Sequence, residues 1–296
     1  MPSLSKPAEP LAPRLAELTA QLQRLGSVLV AFSGGADSAF LLAASARALG
    51  RDRVVAATAV SASLPAAELA AARDFAAGLG VEHLTPRTAE MARPGYRANA
   101  GDRCFFCKAE LLDVLGPLAA ARGLAHVATG TNADDAVAGF RPGIRAAAAR
   151  GAVTPLLDAR LTKEQVRAAS RAWGLPTWDK PAAACLSSRV AYGVEITPAR
   201  LARVERAEQS ARLALANAGI DVRNLRVRDL GETARLEVDA HLVAQTAATP
   251  AVHAAVRAAG FGEVEVDPRG FRSGAMNELL ADPATTRSKT SEVHYH

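Results

Sequence analysis

"FSGGADSAF", residues 32–40, follows the apolar run "SVLVA" (27–31) and leads into "LLAASARALG" (41–50). A short β-branched run, a glycine turn and a helical pattern closed by Gly50 read as strand, turn and helix. Backbone N–H groups at a helix start lack intrahelical partners, and the helix dipole adds positive potential there. Gly34 and Gly35 let a phosphate approach that backbone closely, and Ser33 and Ser38 bring hydroxyl donors. Asp37 would repel a bare phosphate, so it acts either through a Mg²⁺ ion or by capping the turn. A tight connection with no ligand is the plainer alternative, but five constrained positions directly after a strand argue for an anion site.

The same alternation continues outward from the loop. "RVVAATAV" (53–60), "VEHLTP" (81–86) and "AHVATG" (125–130) read as further buried strands. Helical patterns separate or follow them: "AAELAAARDFAAGLG", "CKAELLDVLGPLAAARG" with an expected kink or break at Pro117, and "LTKEQVRAASRAWG" opened by Thr162. This order predicts an α/β fold built on a doubly wound parallel sheet. Past "KPAAACLSSRVAYG" it changes to a long helix (197–219), two alternating runs, another helix and the short strand "GEVEVD". The expected division is therefore 1–190, a smaller α+β domain at 191–280, and a loose polar tail at 281–296.

The chain has 296 residues, 35 Lys and Arg against 30 Asp and Glu, and an estimated pI near 9.4. That mild excess suits either a solvated arginine-rich surface or an anionic partner such as a nucleotide. No apolar run approaches the roughly 20 residues that span a bilayer, and the first residues lack a signal-peptide pattern, so a cytoplasmic protein with no membrane partner is expected. Three cysteines make an odd set, unlike a disulfide framework.

"SGGADS" resembles the pyrophosphate loop of the PP-loop ATP pyrophosphatases, whose fold is adenine nucleotide alpha-hydrolase-like. It is not a Walker loop, having no GxxxxGK[ST] pattern. "GDRCFFCKAEL" (101–111), "ATGTNADD" (128–135) and "KPAAACLSSRVAYGVEIT" (180–197) are similar to segments of the LarE family, with the resemblance covering roughly residues 15–280. It implies an ATP-dependent sulfur transferase of nickel-pincer nucleotide synthesis. Such an enzyme adenylylates a carboxylate of a pyridinium biscarboxylate mononucleotide, releases pyrophosphate, and replaces oxygen with sulfur. The implied partners are ATP, Mg²⁺ and a small nucleotide substrate, within a homo-oligomer, commonly a hexamer.

On this resemblance Ser33, Gly34, Gly35, Asp37 and Ser38 form the pyrophosphate loop. Thr131, Asn132 and Asp135 lie in the loop after the fourth strand, at the carboxyl edge where open α/β sheets bind ligands. Asp134 and Asp135 serve Mg²⁺ or substrate, or else only the turn after Asn132. Arg189 is a phosphate or carboxylate partner. Arg226 and Arg228 alternate along one strand and Glu237 lies on a strand expected to pair with it; these, and less strongly Glu208, are substrate or metal contacts or a solvated sheet face. Cys104 and Cys107 form a CxxC, with Cys185 distant. Three thiolates can hold a 4Fe–4S cluster with one iron open, whereas a lone Cys185 can instead give up its own sulfur; zinc is a further reading of the CxxC. A PP-loop tRNA thiolation enzyme and a non-catalytic nucleotide-binding module are the competing functions. Against the first, no dense basic stripe with interleaved aromatics marks a stable nucleic-acid surface.

Overall fold

The computed structural model describes residues 10–137, 142–181, 185–272 and 274–276. The expected loose tail at 281–296 lies outside these residues. The chain forms two compact units: Met1–Thr58, Ala70–Pro86 and Leu112–Lys180 in one, Ala59–Leu69, Arg87–Leu111 and Pro181–His296 in the other. The division is thus not a single cut near residue 190. Two segments of the first half, including the one that carries the CxxC, group with the C-terminal part.

The first unit is built on four parallel strands: β1 (Val28–Ala31), β2 (Val54–Ala57), β3 (Glu82–Leu84) and β4 (His126–Thr129), in the order β3-β2-β1-β4. Val28 pairs with Val54 on one side and with His126 on the other. Every residue of β1 and β2 is buried, which is why both read as unbroken runs of Val, Leu and Ala. The chain steps outward from β1 to β2 and β3, then crosses back to the other side of β1. That reversal makes a switch point between β1 and β4, where the loops after both strands open side by side.

The helix Ala36–Leu49 buries Phe40, Leu41, Leu42, Ala43 and Ala44 and packs against the helices Leu11–Leu25 and Lys163–Ala172. Each large apolar side chain removed from water there contributes about 1.5–3 kcal/mol. Thr162 opens the helix Lys163–Ala172 with a capping box to Gln165, as its sequence indicates. The expected break at Pro117 does not occur: one helix runs from Arg103 to Ala121 with Pro117 inside it. Proline removes one helical N–H donor, and the turns on either side carry the helix across the gap.

The second unit holds β5 (Leu225–Asp229) and β6 (Thr233–Val238), which are antiparallel, and β7 (Glu263–Val266), parallel to β6. The helix Pro198–Asn217, capped by Thr197, turns Leu201, Val204, Ala207, Ala211 and Leu215 inward. Their spacing of three to four residues makes one apolar face, packed with Leu225, Val227, Leu236 and Val238. Among the described residues no helix is long and apolar enough to cross a membrane.

Two glycines let the switch point close. Gly34 has φ +71°, in the left-handed region. Gly130, just after β4, lies so near the next helix that a Cβ there would meet the Ser38 amide nitrogen at 2.8 Å and the Asp37 carbonyl carbon at 3.0 Å. Neither is a flexible side chain, so backbone must move. Gly130→Ala should destabilise the fold by about 1–3 kcal/mol, which thermal unfolding would register. An unchanged melting temperature would show that the two loops have slack.

Candidate functional site

The first cluster lies at the switch point. Ser33 and Ser38 face each other, with their hydroxyls 3.1 Å apart, and the Ser38 hydroxyl donates to the Gly35 carbonyl (3.1 Å) while accepting from the Ser33 amide (3.3 Å). The two serines therefore clasp the loop and hold its shape. Gly35 starts the helix in extended conformation with no side-chain cap, so capping is not what Asp37 does. The Asp37 carboxylate approaches the Lys163 ammonium at 3.5 Å through Oδ2, while its Oδ1 is buried with no hydrogen-bond partner.

Across the switch point, Asn132 accepts from the amides of Asp134 (3.0 Å) and Asp135 (3.2 Å), and Asp135 accepts from the amide of Asn132 (3.2 Å). Asp134 Oδ2 accepts from the amide of Lys163 (2.8 Å). Both aspartates thus hold the turn and the next helix start together, which is the alternative that the sequence left open. Thr131 meets the Thr129 hydroxyl at 3.2 Å. The Asn132 side-chain amide lies close enough to Asp37 to favour its charge, although its buried Nδ2 makes no hydrogen bond of full geometry. Burial raises the pKa of Asp37 above the usual carboxylate range and Asp135 adds repulsion, which Lys163 offsets only in part.

Lys180, whose ammonium donates to the Gly34 carbonyl (3.0 Å), is a second lysine at the loop. A cleft of about 600 Å³ begins there, lined by Gly34, Phe75, Leu175, Thr177 and Lys180 among others. Neither Lys163 nor Lys180 stood out in the sequence. Lys163 is 126 residues from Asp37, and its neighbours "LTKE" signal only a helix start.

The second cluster belongs to the other unit and surrounds Cys185. Leu186 donates from its amide to the Ser63 carbonyl (2.8 Å), and the Ser187 hydroxyl meets the Tyr96 hydroxyl at 2.5 Å. Arg103 donates to the Ser187 carbonyl (2.9 Å) and to Asn99 Oδ1. The Asn99 amide in turn donates to the carbonyls of Ala191 (2.7 Å) and Val194 (2.9 Å). The segment that carries Cys185 is thereby pinned to the residues just ahead of Cys104. Glu90, itself buried, accepts from the hydroxyls of Ser61 and Ser63.

The three thiols feel one another. The Cys107 thiol is pushed up to about 12, first by burial, then by Cys185, Glu90 and Cys104. Burial works against the Arg103 cation, but Cys185, Cys104 and nearby phenols outweigh it and keep it charged. Among the described residues, however, no three His, Cys, Asp or Glu side chains are gathered as a ligand set.

The arginines are mostly committed to carboxylates. Arg189 pairs with Glu208 (2.9 Å), which also accepts from the Val227 amide (3.1 Å). Arg228 pairs with Glu237 (2.6 Å) across β5 and β6, both buried, so this face is not a solvated one. Arg226 lies over the Phe271 ring, and burial together with Arg189, Arg228 and Arg212 lowers its pKa to about 10. Missed in the sequence, Arg200 and Arg203 both bind the fully buried Asp229.

Parallel strands in this order, with the glycine loop at their switch point, define a PP-loop α/β protein. No protein-family model matches the chain. It is 41% identical over 273 residues to an uncharacterized protein of Synechocystis sp., covering 91% of this chain and 99% of that one. It is 33% identical over 271 residues to the pyridinium-3,5-bisthiocarboxylic acid mononucleotide synthase of Lactiplantibacillus plantarum, covering 91% and 96% respectively. The chain belongs to the LarE family.

Two outcomes separate structural from functional charges. Because its environment disfavours the Asp37 carboxylate, Asp37→Asn should melt at least as high as the wild type at pH 8. The difference should vanish as pH falls through the raised pKa, where the wild type is also neutral. A variant that melts lower at pH 8 would mean that the Lys163 pairing outweighs burial. Arg228→Ala should cost about 3–5 kcal/mol by leaving Glu237 buried and unpaired; a denaturant titration within error of the wild type would remove that pair from the fold's supports.

Proposed function

We propose that the protein is an ATP-dependent sulfur transferase that converts a carboxylate of a pyridinium biscarboxylate mononucleotide into a thiocarboxylate. The carrying observation is the switch-point loop, where Asp37 Oδ1 and Asn132 Nδ2 are buried without hydrogen bonds of full geometry at the start of a helix that has no side-chain cap. A metal-bound pyrophosphate group supplies what those atoms lack. The name of the Lactiplantibacillus plantarum relative, to which nearly the whole chain aligns, supports the acceptor and the product.

A carboxylate is a poor electrophile, and transfer of AMP to it creates a leaving group. The protein's part is to position the reactants and spread charge. Asp37 would hold Mg²⁺, which neutralises phosphate charge when bound. The loop amides would orient the pyrophosphate, with Ser33 and Ser38 fixing the loop's shape. Arg226, half-buried beside Arg189 and Arg228, would be an acceptor contact for an anion.

For sulfur delivery, Cys104, Cys107 and Cys185 would hold a 4Fe–4S cluster, which would supply a binding site for exogenous sulfide. What supports this reading is that the three thiols lie in one unit, on segments tied by Arg103 and Asn99, with the Arg103 cation near Cys104 and Cys185. A second reading, in which Cys185 gives up its own sulfur, is favoured by the absence of a gathered ligand set among the described residues.

Supplied with ATP, Mg²⁺ and acceptor, the enzyme should form AMP and pyrophosphate; ADP and phosphate would overturn the pyrophosphatase assignment. Anaerobically reconstituted protein given sulfide should make several thiocarboxylates per chain and keep Cys185 intact by mass spectrometry. One product per chain, dehydroalanine at Cys185 and indifference to Cys104→Ala and Cys107→Ala would establish the sacrificial route instead.

A further inference from the structure

The turn that follows the Cys185 segment holds one side chain still. The Val194 amide donates to the Ala191 carbonyl (3.0 Å), so Tyr192 and Gly193 are the two central residues of a tight turn. Gly193 has φ +81°, the left-handed conformation that the second central residue of a type II turn needs. Both flanks are tied. The Asn99 side chain donates to the carbonyls of Ala191 (2.7 Å) and Val194 (2.9 Å), and the Ala191 amide donates to the Asp229 carbonyl at the end of β5 (2.9 Å). Tyr192 is half-buried on this corner. The Arg103 guanidinium lies over its ring at 5.6 Å, a long contact, and the thiols of Cys104 and Cys185 are near enough to act on its phenol. Turn corners usually carry Gly, Pro, Asn, Asp or Ser, which favour the bend itself. A tyrosine held there, beside two thiols and a cation, does not serve the bend.

We infer that Tyr192 is the platform for the pyridinium ring of the acceptor, which it holds against the Cys185 segment. The inference rests on the sulfur-transfer reading proposed above and deepens it by assigning a residue to the ring. A pyridinium is flat and carries a full positive charge, so it is attracted to the electron-rich face of an aromatic side chain. An aliphatic side chain of similar size offers area without that field. The carboxylates on the ring edge carry the opposite charge and suit the Arg103 guanidinium at the same tyrosine. The fixed turn has a purpose in this arrangement, because a platform that moved could not orient the reacting carboxyl group towards the thiols.

The charge of the ring separates this role from a structural one. The test uses nicotinic acid mononucleotide, a pyridinium mononucleotide with one ring carboxylate, and its dihydropyridine form, in which two-electron reduction removes the ring's charge. Each is titrated by calorimetry into full-length wild type, Tyr192→Phe and Tyr192→Leu. The wild type should bind the pyridinium form about fivefold or more tightly than the reduced form, within the range of one partly desolvated cation–aromatic contact. Tyr192→Phe should keep that preference. Tyr192→Leu should lose it, through weaker binding of the pyridinium form alone. Equal binding of the two forms by the wild type overturns the inference without recourse to a variant. An unchanged preference in Tyr192→Leu, a lost one in Tyr192→Phe, or equal weakening of both forms in Tyr192→Leu, as expected of a residue that only supports the turn, overturns it too. The sulfur-transfer reading survives each of these results if the wild type still converts the biscarboxylate acceptor to a thiocarboxylate. Wild-type protein that binds neither form and makes no thiocarboxylate overturns both.

Discussion

The close approach of Gly130 to the backbone of Asp37 and Ser38 is the constraint from which the first site follows. β4 lies directly beside β1 in the sheet, so the loops after the two strands must share one small space. Only a residue without a Cβ lets them do so. Once they meet, Asn132 stands beside Asp37, and Asp134 reaches the amide of Lys163. β1 and β2, buried along their whole length, supply the rigid frame, since such a strand cannot shift without exposing apolar surface and breaking its ladder.

The polar groups of that site are left in tension. Asp37 carries its charge at some cost, offset only partly by a loose lysine, with one oxygen unserved. Two other buried carboxylates of the chain are paired with arginine. Asp229 has two arginines and the Gly231 amide, and Glu237 has Arg228 at 2.6 Å. Asp37 lacks such a partner at Oδ1, at the helix start beside the glycine loop, where a ligand from solution would complete it.

In the other unit a polar network works together with apolar packing of Leu186, Val190 and Ile196 to fix a segment. Ser63, Tyr96, Asn99 and Arg103 each bond to residues 186–194, and Asn99 takes a left-handed backbone conformation (φ 53°) to do so. Asparagine tolerates that conformation better than most side chains. The result is that Cys185 is carried on a segment whose position is set by the residues leading into the CxxC helix. Arg103 has two parts in this, as a hydrogen-bond donor to the segment and as a cation felt by the thiols.

The sequence by itself determined the alternation of strands and helices, the loop at residues 33–38, and the sets of residues that matter. Each rests on short-range patterns: buried runs for β1 and β2, a glycine pair before a helix, a capping box at Thr162, apolar spacing along Pro198–Asn217. It also placed Arg226, Arg228 and Glu237 on facing strands. Only the tertiary structure decided how those charges are shared. Arg189 and Arg228 are spent on Glu208 and Glu237, Asp134 and Asp135 are spent on holding a turn, and Asp37 is left to a lysine 126 residues away. Nothing local to residue 163 points at residue 37, because their meeting depends on β4 returning beside β1. The path of the helix through Pro117, and the joining of residues 87–111 to the C-terminal part, were likewise hidden: packing over a whole unit overrides the preference of one residue or the order of the chain.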